Sequence, residues 1–237
     1  MLKLGLETMQ RHVEHWLFPA ACVLCGKAGE DGRELCADCL GDLPYNSLAC
    51  AQCATPLPTQ IAANLCGRCQ QNPPAYNRAF SAFHYRHPVA QIVQRLKFNA
   101  KLNMARLLGE LMAEQLHPKI QTLPELIIPV PLHRSRLRGR GFNQALEIAR
   151  PLARKFGILI DYKSCVRTRA TATQSLLPAK DKRANVQGAF SVVRPIQARH
   201  VAVVDDVMTT GHTLEEVTKA LRKAGVEQID VWVATRA

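Results

Sequence analysis

The sequence predicts a parallel α/β domain with helices on both faces of its sheet, preceded by a small cysteine-rich domain that folds around metal. Three observations predict it. After Pro73-Pro74, strand-like and helix-like segments alternate to the C-terminus, as they do where crossover helices join parallel strands. Before that break, eight of the nine cysteines form four Cys-x-x-Cys pairs. Near the C-terminus, the apolar run Val201–Val204 ends in Asp205 and Asp206 and is followed by a Thr/Gly loop. In open α/β sheets, ligands sit beyond such strand ends. The predicted domains are 1–74, with an N-terminal helix and the cysteine units, and 75–237, with the sheet.

A chain of 237 residues suffices for one or two domains with a core. Its 47% hydrophobic and 21% charged content is ordinary for a soluble globular protein. No stretch approaches the ~20 apolar residues of a transmembrane helix, so no membrane insertion is expected. Glu7, Arg11 and Glu14 interrupt any signal-peptide core. Leu2, Leu6, Met9, Val13, Trp16 and Leu17 instead recur at helical spacing and predict an amphipathic helix packed on the protein's own surface. A cytoplasmic, reducing location is the expectation, and there the cysteines need an explanation other than disulfides.

Cys22/Cys25, Cys36/Cys39, Cys50/Cys53 and Cys66/Cys69 are separated by gaps of 10, 10 and 12 residues. Each pair bites a metal with two thiolates from a tight turn, and two pairs complete the closed tetrahedral site of structural zinc. The units repeat: Cys22-Val23-Leu24-Cys25 with Leu35-Cys36-Ala37-Asp38-Cys39, then Cys50-Ala51-Gln52-Cys53 with Leu65-Cys66-Gly67-Arg68-Cys69. Sequential pairing is therefore expected, with about two structural Zn²⁺ per chain. Crossed pairing, redox dithiols and an iron–sulfur cluster are the open alternatives. Residues 20–72 hold few large apolar side chains, so metal is expected to supply folding energy there. Cys165 stands apart and reads as a core residue.

In the second domain, Ala79–Tyr85 reads as a strand, Pro88–Phe98 as a helix, and Leu102–Leu116 as an amphipathic helix ended by Pro118. Leu126–Val130 is a short buried strand, Phe142–Phe156 a helix stopped by Gly157, and Ile158–Asp161 a strand. Arg167–Val186 is polar and basic and reads as a mobile loop. Val201–Val204 is the central strand, Thr213–Ala224 a helix, and Val226–Ala234 the last strand.

The formal net charge of +12 lies almost wholly in the second domain. Residues 1–79 carry 6 Lys/Arg against 7 Asp/Glu, whereas Val130 to Arg183 carry 13 against three. Such an excess attracts polyanions, whether nucleic acid or a phosphorylated metabolite; a solvated basic surface is the bland alternative. Asp205 and Asp206 are acceptors suited to two vicinal sugar hydroxyls, with a magnesium ion relieving their repulsion. Thr209, Thr210, Gly211, His212 and Thr213 follow: Gly211 permits close backbone approach, and the next helix offers N-terminal amides to a phosphate.

These residues resemble the phosphoribosyl pyrophosphate (PRPP) motif of type I phosphoribosyltransferases, and nearly the whole chain resembles the ComF family, in particular its GntX-like members. The resemblance extends over the double cysteine unit, Leu96-Lys97-Phe98, Val130-Pro131-Leu132, Arg140-Gly141-Phe142-Asn143-Gln144, Arg169 with Gln174, and Arg183 with Asn185. It implies a type I phosphoribosyltransferase-like sheet behind a zinc ribbon with four-cysteine sites. It also implies PRPP binding with Mg²⁺, transfer of the phosphoribosyl group with release of pyrophosphate, and an association with DNA uptake or DNA utilisation. Val130, Pro131, Leu132 and His133 would form the pyrophosphate loop, and Arg140, Arg169, Gln174 and Arg183 would line it or a basic hood. The alternative is an accessory protein that senses PRPP or binds single-stranded DNA, with no transfer activity. No residue stands out as a general base.

Overall fold

The alternating apolar runs of the second half of the chain assemble into five parallel strands. The computed structural model describes residues 20–58, 64–170 and 184–237. The predicted helix within residues 1–19 therefore lies outside the described residues. By contacts the chain divides into a unit ending at Leu43 and a unit spanning Pro44–Ala237. The second cysteine group thus belongs to the same unit as the sheet, whereas the sequence alone suggests both groups in a domain ending at residue 74.

In the first unit, a short helix α1 (Ala37–Gly41) follows Cys36, and Leu35 is buried. Cys22 N donates to Lys27 O and Gly26 N to Cys22 O, folding a tight knuckle.

The second unit opens with a similar knuckle and the short helix α2 (Gly67–Gln71). The sheet comprises β1 (Arg78–His84), β2 (Leu126–Pro129), β3 (Leu159–Ile160), β6 (His200–Met208) and β7 (Gln228–Arg236), in the order β1-β7-β6-β2-β3. All its pairings are parallel. Residues before the second knuckle run along the outer edge of β1: Asn46 N donates to Ala82 O and His84 N to Pro44 O. They cover an edge that would otherwise present unpaired backbone.

Between β1 and β2 lie α3 (Val89–Asn99) and α4 (Leu102–Leu116). After β2 come α5 (Arg134–Arg140) and α6 (Gln144–Phe156), and after β6 comes α7 (His212–Lys223). The 3.6-residue apolar period of α4 and α6 buries Leu107, Leu108, Leu111, Ile148, Ala149 and Leu152. Gly109 lets these two helices close: a Cβ there would press on Pro151 Cγ and lie 2.5 Å from Ile148 O. Leu214, Val217 and Leu221 of α7 pack in one cluster with Val201, Val203, Val231 and Val233. At the amino end of the strands, buried Asp230 accepts two bonds from Arg78, at 3.0 and 2.9 Å, and faces His200 Nε2 at 3.2 Å. Among the described residues no helix is long and apolar enough to cross a membrane.

Two departures from the expected elements bear on the site. The central strand continues through Asp205 and Asp206 to Met208, because β7 keeps pairing with it as far as Met208↔Arg236. The acidic doublet therefore lies inside the strand, not past its end. A two-stranded antiparallel ribbon, β4 (Cys165–Arg167) with β5 (Phe190–Val192), also frames the segment expected to be a loop. Most of that segment, 171–183, lies outside the described residues.

Candidate functional site

Strand order locates the site. From β2 the chain moves outward to β3, and from β6 it moves the other way to β7. The loops that leave the carboxyl ends of β2 and β6 therefore diverge, and the crevice between them is the switch point where open α/β sheets bind ligands.

The loop after β2 is pinned at its root. Val130 N donates to Val204 O at 2.9 Å, and Asn143 Nδ2 donates to Val130 O at 3.1 Å. Pro131 and Leu132 lead to His133, which caps α5: its Nδ1 accepts from Ser135 N at 3.3 Å. Arg140, in the last turn of α5, donates from Nη1 to Gln144 Oε1 at 2.6 Å. Burial lowers the Arg140 pKa, Asp206 opposes that shift, and Arg136 adds to it. Lys97, Arg136, Arg140 and Phe142 line a cavity of about 370 Å³ beside this loop.

Asp205 is 8% and Asp206 3% exposed. Side chains alternate along a strand, so Asp205 continues the face of Val201 and Val203, and Asp206 that of Ala202 and Val204. Lys97 Nζ from α3 lies 2.5 Å from Asp206 Oδ2. Asp205 Oδ1 accepts from Asp206 N at 2.9 Å. Its carboxyl stands well above the usual carboxylate range, first because it is buried and second because the Asp206 carboxylate repels its charge. Neither carboxylate lines the cavity beside Arg140 or the one beside Gly211. The material over them is nonetheless charged: Lys97 covers Asp206, and Arg167 acts electrostatically on Asp205.

Beyond β6, Thr209 is exposed and Thr210 half-buried, with the Thr210 Oγ1 atom buried without a hydrogen-bond partner among the described residues. Gly211 has φ +83°, which favours glycine. His212 and Thr213 open the 12-residue α7, whose first amides and positive dipole end adjoin the loop. Thr210, Gly211 and His212 line a cavity of about 470 Å³ together with Arg68, Tyr76 and Arg236. Glu215, Glu216 and Lys219 line the same cavity; Lys219 pairs with both acids, Glu215 Oε2 accepts from Ala75 N at 3.0 Å and Glu216 Oε2 from Gly188 N at 2.8 Å.

The β4–β5 ribbon stands near the doublet. Arg167 lies over the Phe190 ring at 5.3 Å, and burial pushes its pKa down to about 10. Arg169 Nη2 donates to Gln187 O at 2.6 Å and to Asn185 O at 3.3 Å, so it ties the ribbon's ends together. Gln174 and Arg183, expected in the hood, lie outside the described residues.

The cysteines gather as the repeat predicts. Cys22, Cys25, Cys36 and Cys39 form one group, and Cys50, Cys53, Cys66 and Cys69 form another, with the sulfurs of each group within 4.8 Å of one another. Cys25 and Cys36 Sγ are 3.6 Å apart, as are Cys53 and Cys66 Sγ. Tetrahedral Zn–S bonds of about 2.3 Å place sulfurs about 3.8 Å apart, so both sets fit structural zinc. Burial disfavours the thiolate at Cys22 and Cys50, but amide hydrogen bonds outweigh it and lower these thiols to about 6 and about 7. The thiolate is the ligating form. Cys165 is buried in the core, and burial drives its thiol up to about 12.

Four residues at the site escaped assignment from sequence: Lys97, Arg167, Tyr76 and Arg236. Lys97 stands within Leu96-Lys97-Phe98, but nothing local says that it faces Asp206. Arg236 follows a buried strand as an ordinary terminal cation would.

Residues 13–70 match the double zinc ribbon domain family and residues 143–236 the phosphoribosyl transferase domain family. The chain is 36% identical over 223 residues to DNA utilization protein YhgH of Escherichia coli O157:H7, covering 92% of this chain and 97% of that protein. It is 37% identical over 231 residues to competence protein F of Haemophilus influenzae, covering 93% and 98%. Competence protein ComFC of Streptococcus pneumoniae is 22% identical, with 91% and 99% covered. Among solved structures, a purine phosphoribosyltransferase from Pyrococcus horikoshii aligns with a TM-score of 0.34 at 20% identity, over 56% of this chain and 82% of that one.

Proposed function

Because the chain belongs to the family of DNA utilization protein YhgH and competence protein F, we propose that its sheet domain binds PRPP and transfers the phosphoribosyl group to a nitrogen nucleophile in the service of DNA utilisation. One observation carries this reading. The acidic doublet and the Thr209–Thr213 loop lie on one side of a topological switch point and the Val130–His133 loop on the other, with Lys97, Arg140 and Arg167 around them.

In this reading Asp205 and Asp206 accept hydrogen bonds from the ribose hydroxyls. The Thr209–Gly211 backbone and the first amides of α7 hold the 5′-phosphate. The Leu132 and His133 amides and Arg140 receive the pyrophosphate, whose paired oxygens suit the planar fork of arginine. Lys97 must leave Asp206 for the sugar to reach it, and the incoming pyrophosphate is the anion that replaces Asp206 as the partner of Lys97. The bond from ribose C1 to pyrophosphate oxygen breaks, a C1–N bond forms, and the acceptor's proton leaves to solvent. The transition state has oxocarbenium character, so positioning and charge stabilisation supply the catalysis. Mg²⁺, when bound with PRPP, neutralises charge on the leaving pyrophosphate. Zinc at the two four-cysteine groups is structural, since four thiolates leave no open position.

The test is calorimetry with PRPP and Mg²⁺ on the wild type and on Asp205→Asn/Asp206→Asn. Loss of binding with an unchanged far-UV spectrum is expected, and equal affinity in the double variant would overturn the assignment. Pyrophosphate release on adding nitrogenous bases or amines separates a transferase from a silent PRPP sensor.

A further inference from the structure

Arg236 ends β7 and is 8% exposed, yet among the described residues no Asp or Glu side chain pairs with it. Its guanidinium is spent on backbone oxygens, that of Ala237 among them, and on one hydroxyl. On one side Nε donates to Cys53 O at 3.2 Å and Nη2 to Thr55 Oγ1 at 2.9 Å. Both acceptors belong to the knuckle of the second cysteine group, where Cys50 N also donates to Thr55 O. On the other side Nη1 donates to Met208 O at 3.1 Å and to Thr209 O, the residues that launch the Thr209–Thr213 loop. Arg68, between two ligands of the same group, adds a second tie: its Nη1 donates to Thr210 O at 3.3 Å.

A buried cation with no acidic side chain beside it is costly. Four thiolates around one divalent ion leave a net negative charge, and Arg236 lies against that group. The group's knuckle is therefore the mechanical anchor of the residue that holds the loop, and metal bound by four thiolates would also give that residue a charge partner.

We propose that Arg236 is a positioning residue through which the second four-cysteine group fixes the phosphate-binding loop, so that metal occupancy at Cys50, Cys53, Cys66 and Cys69 and affinity for the phosphorylated sugar rise and fall together. The inference rests on the functional reading above. Linkage makes the coupling reciprocal: PRPP tightens this group's hold on its metal against a chelator by the same factor that metal raises PRPP affinity at equilibrium.

The test compares wild type, Arg236→Met and Arg236→Lys, each with zinc counted by mass spectrometry. Amide hydrogen exchange is followed at residues 208–213, and PRPP binding is measured with Mg²⁺. Arg236→Met is expected to exchange faster at 208–213 and to bind PRPP about tenfold more weakly, within the usual range of a coupling between sites. Arg236→Lys, which keeps the charge but not the fork, is expected to fall between. Cys66→Ser with Cys69→Ser should reproduce the faster loop exchange, and Cys36→Ser with Cys39→Ser should not. Wild-type exchange in Arg236→Met would overturn the proposal. If wild type itself fails to bind PRPP, the functional reading falls, and the exchange comparison still decides whether the cysteine group holds the loop. Should Arg236→Met not fold, Arg236→Lys and the cysteine variants decide the question by the same exchange readout.

Discussion

Replacing Lys97 by methionine tests the electrostatics of the acidic doublet most directly. The Lys97 Nζ to Asp206 Oδ2 distance is 2.5 Å, and the two side chains are 23% and 5% exposed. Methionine keeps most of the stem's packing and deletes the charge, so the change isolates the pair. Breaking a buried pair by removing one partner costs about 3–5 kcal/mol. Water still reaches the Lys97 ammonium, which places the expectation at the low end, about 3 kcal/mol. For a chain of this size that corresponds to a fall in Tm of about 6–12 °C. Urea unfolding followed by fluorescence of the buried Trp232 measures the loss. Lys97→Met with Asp206→Asn should recover most of it, because no uncompensated charge is then left inside. A single variant within about 0.5 kcal/mol of wild type, the range of an ordinary surface substitution, would refute the argument that this lysine neutralises a desolvated carboxylate.

Two further outcomes follow from the same geometry. Asp205 is held above the usual carboxylate range by burial and by Asp206, so the folded state binds a proton that the unfolded chain releases at about pH 3.9. Its contribution to stability is complete below that pH and is lost as pH rises through the folded-state value. If the sugar is held by the ionised carboxylate, as proposed, PRPP binding should strengthen with pH over the same window and release protons. Calorimetric heats in buffers of different ionisation enthalpy read this out, and heats independent of buffer would remove Asp205 from the sugar site. At the α4–α6 contact, Gly109→Ala would press a methyl on Pro151 Cγ and put it 2.5 Å from a backbone oxygen. The helices must separate to admit it, at about 1–3 kcal/mol. Denaturant unfolding measures this, and a stabilised variant would show that the contact relaxes freely.

Much of this protein is legible locally. The apolar period marks Leu102–Leu116, which is α4 to the residue, and Gly157 ends α6 with φ +69°. The cysteine repeat foretells which thiols gather, because a Cys-x-x-Cys turn brings two sulfurs together without help from the rest of the chain. These features depend on residues a few positions apart. The acidic doublet is legible in the sequence but its setting is not: whether β6 stops at Val204 or runs to Met208 depends on pairing with β7. The cover over Asp206 comes from α3, and the hold on the loop joins residues 183 positions apart. Tertiary structure decided those points, because desolvation and charge pairing depend on what the folded chain lays over a group, and no spacing within the sequence records that.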